Sequence, residues 1–152
     1  MYFPQITCEN LARERFNLPG DFEGDYNLCL IAFQQWHQRL VDSWIPLAQQ
    51  MEETYPRFRY YEFPVIRRMN PLYRGFIDQG MRSGIPDPVA RHKTITLYID
   101  KAAFRQALDI ANEDDIHVRL VDRAGVVYLA TAGALMRETG QALLETLENL
   151  MR

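Results

Sequence analysis

Few side chains in this chain could carry chemistry, and their spacing limits what that chemistry could be. His37 stands beside Trp36 in the stretch LIAFQQWHQRLVDSWIP, Leu30 to Pro46, a turn of helix from Asp42. An imidazole and a carboxylate so placed could serve as an acid/base pair or as half of a metal site. One His and one Asp fall short of a metal's usual ligand set, and His92 and His117 show no ligand spacing. The plainer reading is an exposed turn histidine, with Asp42 favouring the positive end of the helix. Cys29 lies inside an apolar run and reads as a small buried hydrophobe. Cys8 sits in a polar segment and is expected to be exposed, with no basic neighbour to lower its pKa. The two form neither a CxxC pair nor a zinc pair with histidine. Gly75, Gly80 and Gly84 are not followed by the GK[ST] of a phosphate loop, and Ser43 and Ser83 lack a nucleophile-elbow context. No metal and no cofactor is expected.

Cationic side chains make the other candidate site. From Ile66 to Lys93 the chain holds Arg67, Arg68, Arg74, Arg82, Arg91 and Lys93 against Asp78 and Asp87, a local charge of +4 in a protein of net charge -3. Tyr73 and Phe76 are interleaved. Arginine's planar fork suits carboxylate or phosphate, so the segment reads either as a solvated face or as a contact for a protein partner with an acidic surface. Nucleic acid is not expected, because no recognition motif accompanies the arginines and the whole chain is acidic. Trp44 falls on an apolar helical stripe and belongs in the core, whereas Trp36 lies in the turn and suits a surface anchor. The expected partner-binding edge is therefore Trp36, His37, Gln38, Asp42, Arg67, Arg68, Arg74, Arg82 and Arg91.

The elements that must position these groups follow from pattern. At 152 residues, 47% hydrophobic and 24% charged, the chain is expected to form one globular domain over residues 1–152. Residues 1–25 read as a lead-in ending in the loop NLPGDFEGDYN. LCLIAF (Leu28 to Phe33) is a continuous apolar run that suits a central strand. Leu40, Trp44, Leu47, Ala48, Met51 and Tyr55 recur at helical spacing up to Pro56. Phe58 to Val65 reads as a strand, and NPLYRGFIDQGMRS from Asn70 as a helix with Leu72, Phe76 and Ile77 inward. Gly80 to Lys93 is expected to be loop, Thr94 to Asp100 strand, and Ala102 to Leu108 a short helix. Ile116 to Val121 and Val126 to Thr131 form a hairpin about Asp122 to Gly125. A closing helix buries Leu143, Leu144, Leu147 and Leu150, with Met136 and Met151 on the same face. The sum is an α/β fold with a mixed central sheet flanked by helices and an insertion before the last hairpin and helix.

This order resembles the thioredoxin-like fold. Phe33 and Pro46 stand at the separation found between the strand-end Phe and the helix-kinking proline of F-W-x-x-W-C-G-P-C proteins. That register puts Gln38 and Val41 at the two cysteine positions, and no proline occurs about Asp114 to Ile116. ENLARERFNLPGDFEGDYNLCLIAF is similar to the opening of the peroxiredoxin (alkyl hydroperoxide reductase) superfamily. Within that group, Tyr98 to Lys101, Phe104 to Leu108 and Leu120 to Gly125 resemble the mitochondrial ATP-synthase assembly factor family and its bacterial relatives. Peroxiredoxin chemistry needs a thiolate at the start of the first helix, and Gln34 to Ser43 contains none.

The resemblance implies a redox-inactive assembly or chaperone-like factor that binds a protein. An enzyme of a non-thiol class using His37 and Asp42, and a residual peroxiredoxin-like antioxidant, remain open at this point. No apolar run reaches the roughly 18 residues of a membrane span and no leader is legible at the amino terminus. A cytoplasmic compartment is expected, with peripheral membrane association and oligomeric state left open.

Overall fold

The computed structural model describes residues 1–69 and 71–152. Among them seven strands form one mixed sheet in the order β2-β1-β5-β4-β3-β6-β7. Its centre is β3 (Tyr26–Ala32), the continuous apolar run, lying parallel to β4 (Phe58–Arg67) and antiparallel to β6 (His117–Asp122). Successive residues of a strand point to opposite faces, so β3 feeds two cores. Leu28 and Leu30 pack with Trp44, Met51, Leu143 and Leu147 from α1 (Gln38–Thr54) and α5 (Arg137–Leu150). Cys29 and Ile31 pack on the other face with Phe3, Phe22, Phe63, Phe104 and Leu108, the last two brought by α4 (Lys101–Ala107) and the residue after it. β7 (Val127–Ala132) closes the hairpin through Asp122, whose Oδ1 accepts the N–H groups of Ala124 and Val126. Gly125 completes that turn at φ +88°, a conformation that favours glycine.

Three expectations need correction. The lead-in is not merely a loop: β1 (Ile6–Asn10) and β2 (Arg15–Leu18) form a hairpin, and β1 pairs with β5 (Ile95–Ile99). Cys8, expected at the surface, is buried, because alternation in β1 turns it and Asn10 toward the phenylalanine core while Thr7 and Glu9 face water. Gly80 to Lys93 is not loop. α2 (Pro71–Gly84) enters it as far as Gly84, and after residues 85–87 α3 (Pro88–Lys93) follows, started by Asp87 as N-cap to the Val89 N–H with Pro88 in the first turn.

α2 also turns the opposite way from the one expected. Leu72 and Phe76 are 82% and 81% exposed. The helix is held by polar contacts instead: Tyr98 donates to Asp78 at 2.6 Å, Thr96 donates to the Met81 sulfur at 3.5 Å, and the Arg74 guanidinium lies 4.7 Å from the centre of the Tyr98 ring. Hydrophobic periodicity misreads a helix attached in this manner. Asn70, expected to open this helix, lies outside the described residues.

Candidate functional site

The junction after β3 passes through Phe33 and Gln34 into a 3-10 turn, Gln35–His37, and then into α1. His37 is fully buried rather than exposed. Its Nδ1 accepts the backbone N–H of Phe33 at 3.0 Å and of Gln34 at 3.3 Å, so the ring fastens the turn to the end of the strand. An accepting Nδ1 leaves the proton of the neutral ring on Nε2. That atom is buried and has no hydrogen-bond partner among the described residues. His37 thus acts as a structural pin, and its position three residues after Gln34 explains why the turn closes there.

The same geometry separates the two members of the expected acid/base pair. Asp42 takes its hydrogen bond from Gln38, whose Nε2 donates at 2.9 Å to Asp42 and at 3.0 Å to Glu62. One amide therefore bridges two carboxylates at the position that the sequence register sets against the first cysteine of thioredoxin-type proteins. Burial pushes the Glu62 carboxyl up from its ordinary value and the Asp42 charge adds to this, against the stabilising Gln38 amide. These groups line a cleft of about 330 Å³ with Ile45, Tyr60 and Ile85. Glu62 escaped the sequence reading, although a lone acid within FRYYEFPV was a visible signal. Val41, at the second cysteine position, is buried in the core.

Trp36 is 51% exposed, as its turn position implied, and its ring stands edge-on to His37 with centroids 4.4 Å apart. Arg39, not singled out in the sequence, lies 5.8 Å from the Trp36 ring centre, within reach of a cation–π contact. Trp44 is in the core, its indole N–H donating to the Gly133 carbonyl at 3.0 Å.

The arginines of the cationic segment have different surroundings. Arg91 donates from Nε to the Ile85 carbonyl and from Nη2 to the Arg82 carbonyl, both at 2.6 Å, tying α2 to α3. Arg82 has its own Nε buried without a hydrogen-bond partner among the described residues, on the side of α2 facing β1. Lys93 is buried against Glu52 and over the Tyr60 ring at 4.4 Å. Arg67, Arg68 and Arg74 remain exposed, at the end of β4 and the first turns of α2.

Neither thiol is poised for chemistry. Burial, then the charges of Asp21 and Glu9, pushes Cys8 up to about 12. Burial pushes Cys29 higher still, against the pull of the Arg119 charge. Both are protonated at neutral pH, and the thiolate is the nucleophile. Elsewhere, His92 bridges Glu14 and Glu23 at 2.6 Å each, fixing α3 to the amino-terminal hairpin. Among the described residues no group of three or more His, Cys, Asp or Glu could hold a metal. No described helix is long and apolar enough to cross a membrane.

Solved structures share this architecture at low sequence identity. The surface-exposed lipoprotein thioredoxin of Streptococcus pneumoniae matches with a TM-score of 0.63 at 11% identity, over 96% of this chain and 99% of that one. The thioredoxin domain of a thiol-disulfide oxidoreductase from Bacteroides vulgatus matches at 0.59 and 19%, over 97% and 95%. BsSco, a member of the Sco family of cytochrome c oxidase assembly proteins, matches at 0.64 and 11%, over 97% and 92%. These similarities give the thioredoxin-like fold. No relative is found among curated protein sequences. The ATP10 protein family matches residues 1–150, so the chain belongs to that family, the ATP-synthase assembly factors whose motifs it resembles.

Proposed function

We propose that this ATP10-family protein is a single-domain, redox-inactive thioredoxin-like factor that works by binding another protein in an assembly or chaperone-like role. The observation that carries this reading is the junction itself. Gln38 bridges Asp42 and Glu62 in the place of the first sulfur, Val41 fills the place of the second, and both cysteines of the chain are buried and protonated.

The contact for the protein partner is the junction edge, with Trp36 as anchor and Arg39, Gln38 and Asp42 around it. Half-exposed tryptophan beside arginine is the composition of an interface hot spot. Arg91 is set apart from this edge, because its guanidinium is engaged in holding α2 and α3 together through the Arg82 and Ile85 carbonyls. Arg67, Arg68 and Arg74 keep the expectation of an anionic counterpart. Two unpaired, buried thiols fit a reducing compartment such as the cytoplasm.

An acid/base role for His37 with Asp42 finds no support in the geometry, since each is bonded to other groups. The test is affinity capture from the native host with wild-type protein and Trp36→Ala. A partner retained by wild type and lost by the variant supports the edge; one retained equally by both sinks it.

A further inference from the structure

We propose that α2 seats the protein on an anionic lipid surface. Leu72 and Phe76, one helical turn apart, are the most exposed large apolar side chains among the described residues, and Tyr73 beside them is 62% exposed. The opposite side of the helix is committed to the sheet through Arg74, Asp78 and Met81. Arg67 and Arg68, both exposed, precede this apolar ridge in sequence, and no acidic residue occurs from Ile66 to Ile77. The helix therefore offers bulky apolar groups bordered by side chains that bind phosphate.

Shape and charge select the occupant. The exposed apolar side chains, Leu72, Tyr73 and Phe76, lie within about one turn of a single helix, a small patch beside the roughly 1,600 Å² that a specific protein interface buries. A few bulky side chains entering the headgroup boundary, with arginines on the phosphates, suffice for attachment to a membrane. A second copy of the chain is disfavoured, because an isologous contact would set these arginines against their own copies. The remainder of the protein carries net negative charge and is repelled by an anionic surface, so this segment is presented first.

The experiment is co-sedimentation of the full chain with vesicles of phosphatidylcholine alone and of phosphatidylcholine mixed with phosphatidylglycerol, at low and high salt. The wild-type chain is expected to pellet with the mixed vesicles at low salt and to be released by salt. Leu72→Asp with Phe76→Asp should lower the affinity at least about tenfold. Arg67→Gln and Arg68→Gln should lower it about fivefold each and flatten the salt dependence. Circular dichroism checks that each variant stays folded, and Leu72→Ala with Phe76→Ala supplies an uncharged comparison. No binding to mixed vesicles, equal binding to both vesicle types, or full binding by the Asp variant overturns the proposal. A chain that ignores both vesicles while Leu72→Asp abolishes its binding to an acidic protein assigns the face to protein and overturns it as well.

Discussion

The β3–α1 junction and α2 lie toward the same end of the sheet and are built in opposite ways. At the junction a fully buried imidazole pins two backbone N–H groups, and one amide joins two carboxylates. On α2 Leu72 and Phe76 face water, three glycines have open space where a side chain would be, and attachment rests on a few polar contacts. The junction keeps the rigidity that a redox site needs without its sulfur. The insertion has the looseness of a segment that is completed by something outside the chain.

Stability should divide along the same line. His37→Ala removes the acceptor from the Phe33 and Gln34 N–H groups, the first of them buried, and opens a cavity, and should cost about 2–4 kcal/mol in chemical denaturation. Leu72→Asp, on a side chain that touches little, should change stability by no more than about 0.5 kcal/mol. Equal losses would mean that α2 is as firmly built as the junction. Gly75→Ala and Gly80→Ala should each raise stability by about 0.5–1 kcal/mol, since the added methyl meets open space and restricts the unfolded chain. A loss at either position would show that α2 does not persist as a helix in the free protein.

How much of this was legible in the sequence depends on what holds each element. β3, the α1 stripe with Trp44 and the Asp122 to Gly125 hairpin are held by apolar burial or turn chemistry, and the residues that do it stand in recognisable order. The β1–β2 hairpin is short, and its inward positions, Cys8 and Asn10 on one strand and Phe16 and Leu18 on the other, mix polar with apolar, which blurs the alternation. His37 was read as exposed because a sequence does not say that a histidine will find its acceptor role in the backbone behind it. Arg91 and Lys93 looked like part of a charged surface, yet their partners are carbonyls and a glutamate distant in sequence from Lys93.

Smaller effects should come from His92, at the seam between α3 and the hairpin. Burial pulls its pKa down, but hydrogen bonds to Glu14 and Glu23 outweigh this and raise it. Glu14 is correspondingly lowered, by Asn10 first and then His92. A raised histidine favours the folded state below its unfolded pKa, and that stability is lost as pH rises through the folded value. A lowered carboxylate acts in the reverse sense, its contribution vanishing as pH falls through its folded value. Melting temperature should therefore fall modestly from about pH 6 to about pH 9, and His92→Gln should flatten that slope. An unchanged slope in the variant would place the pH dependence elsewhere. Because His92 and both glutamates are partly exposed, added salt should weaken the effect.

The most direct measurement is thiol-disulfide exchange by the folded wild-type chain, followed as reduction of an insulin disulfide and compared with Cys8→Ser, Cys29→Ser. With amide and valine at the sulfur positions and both thiols protonated inside the core, wild type and double variant should match the protein-free rate. Turnover by the wild-type chain that disappears in the double variant would contradict the redox-inactive reading.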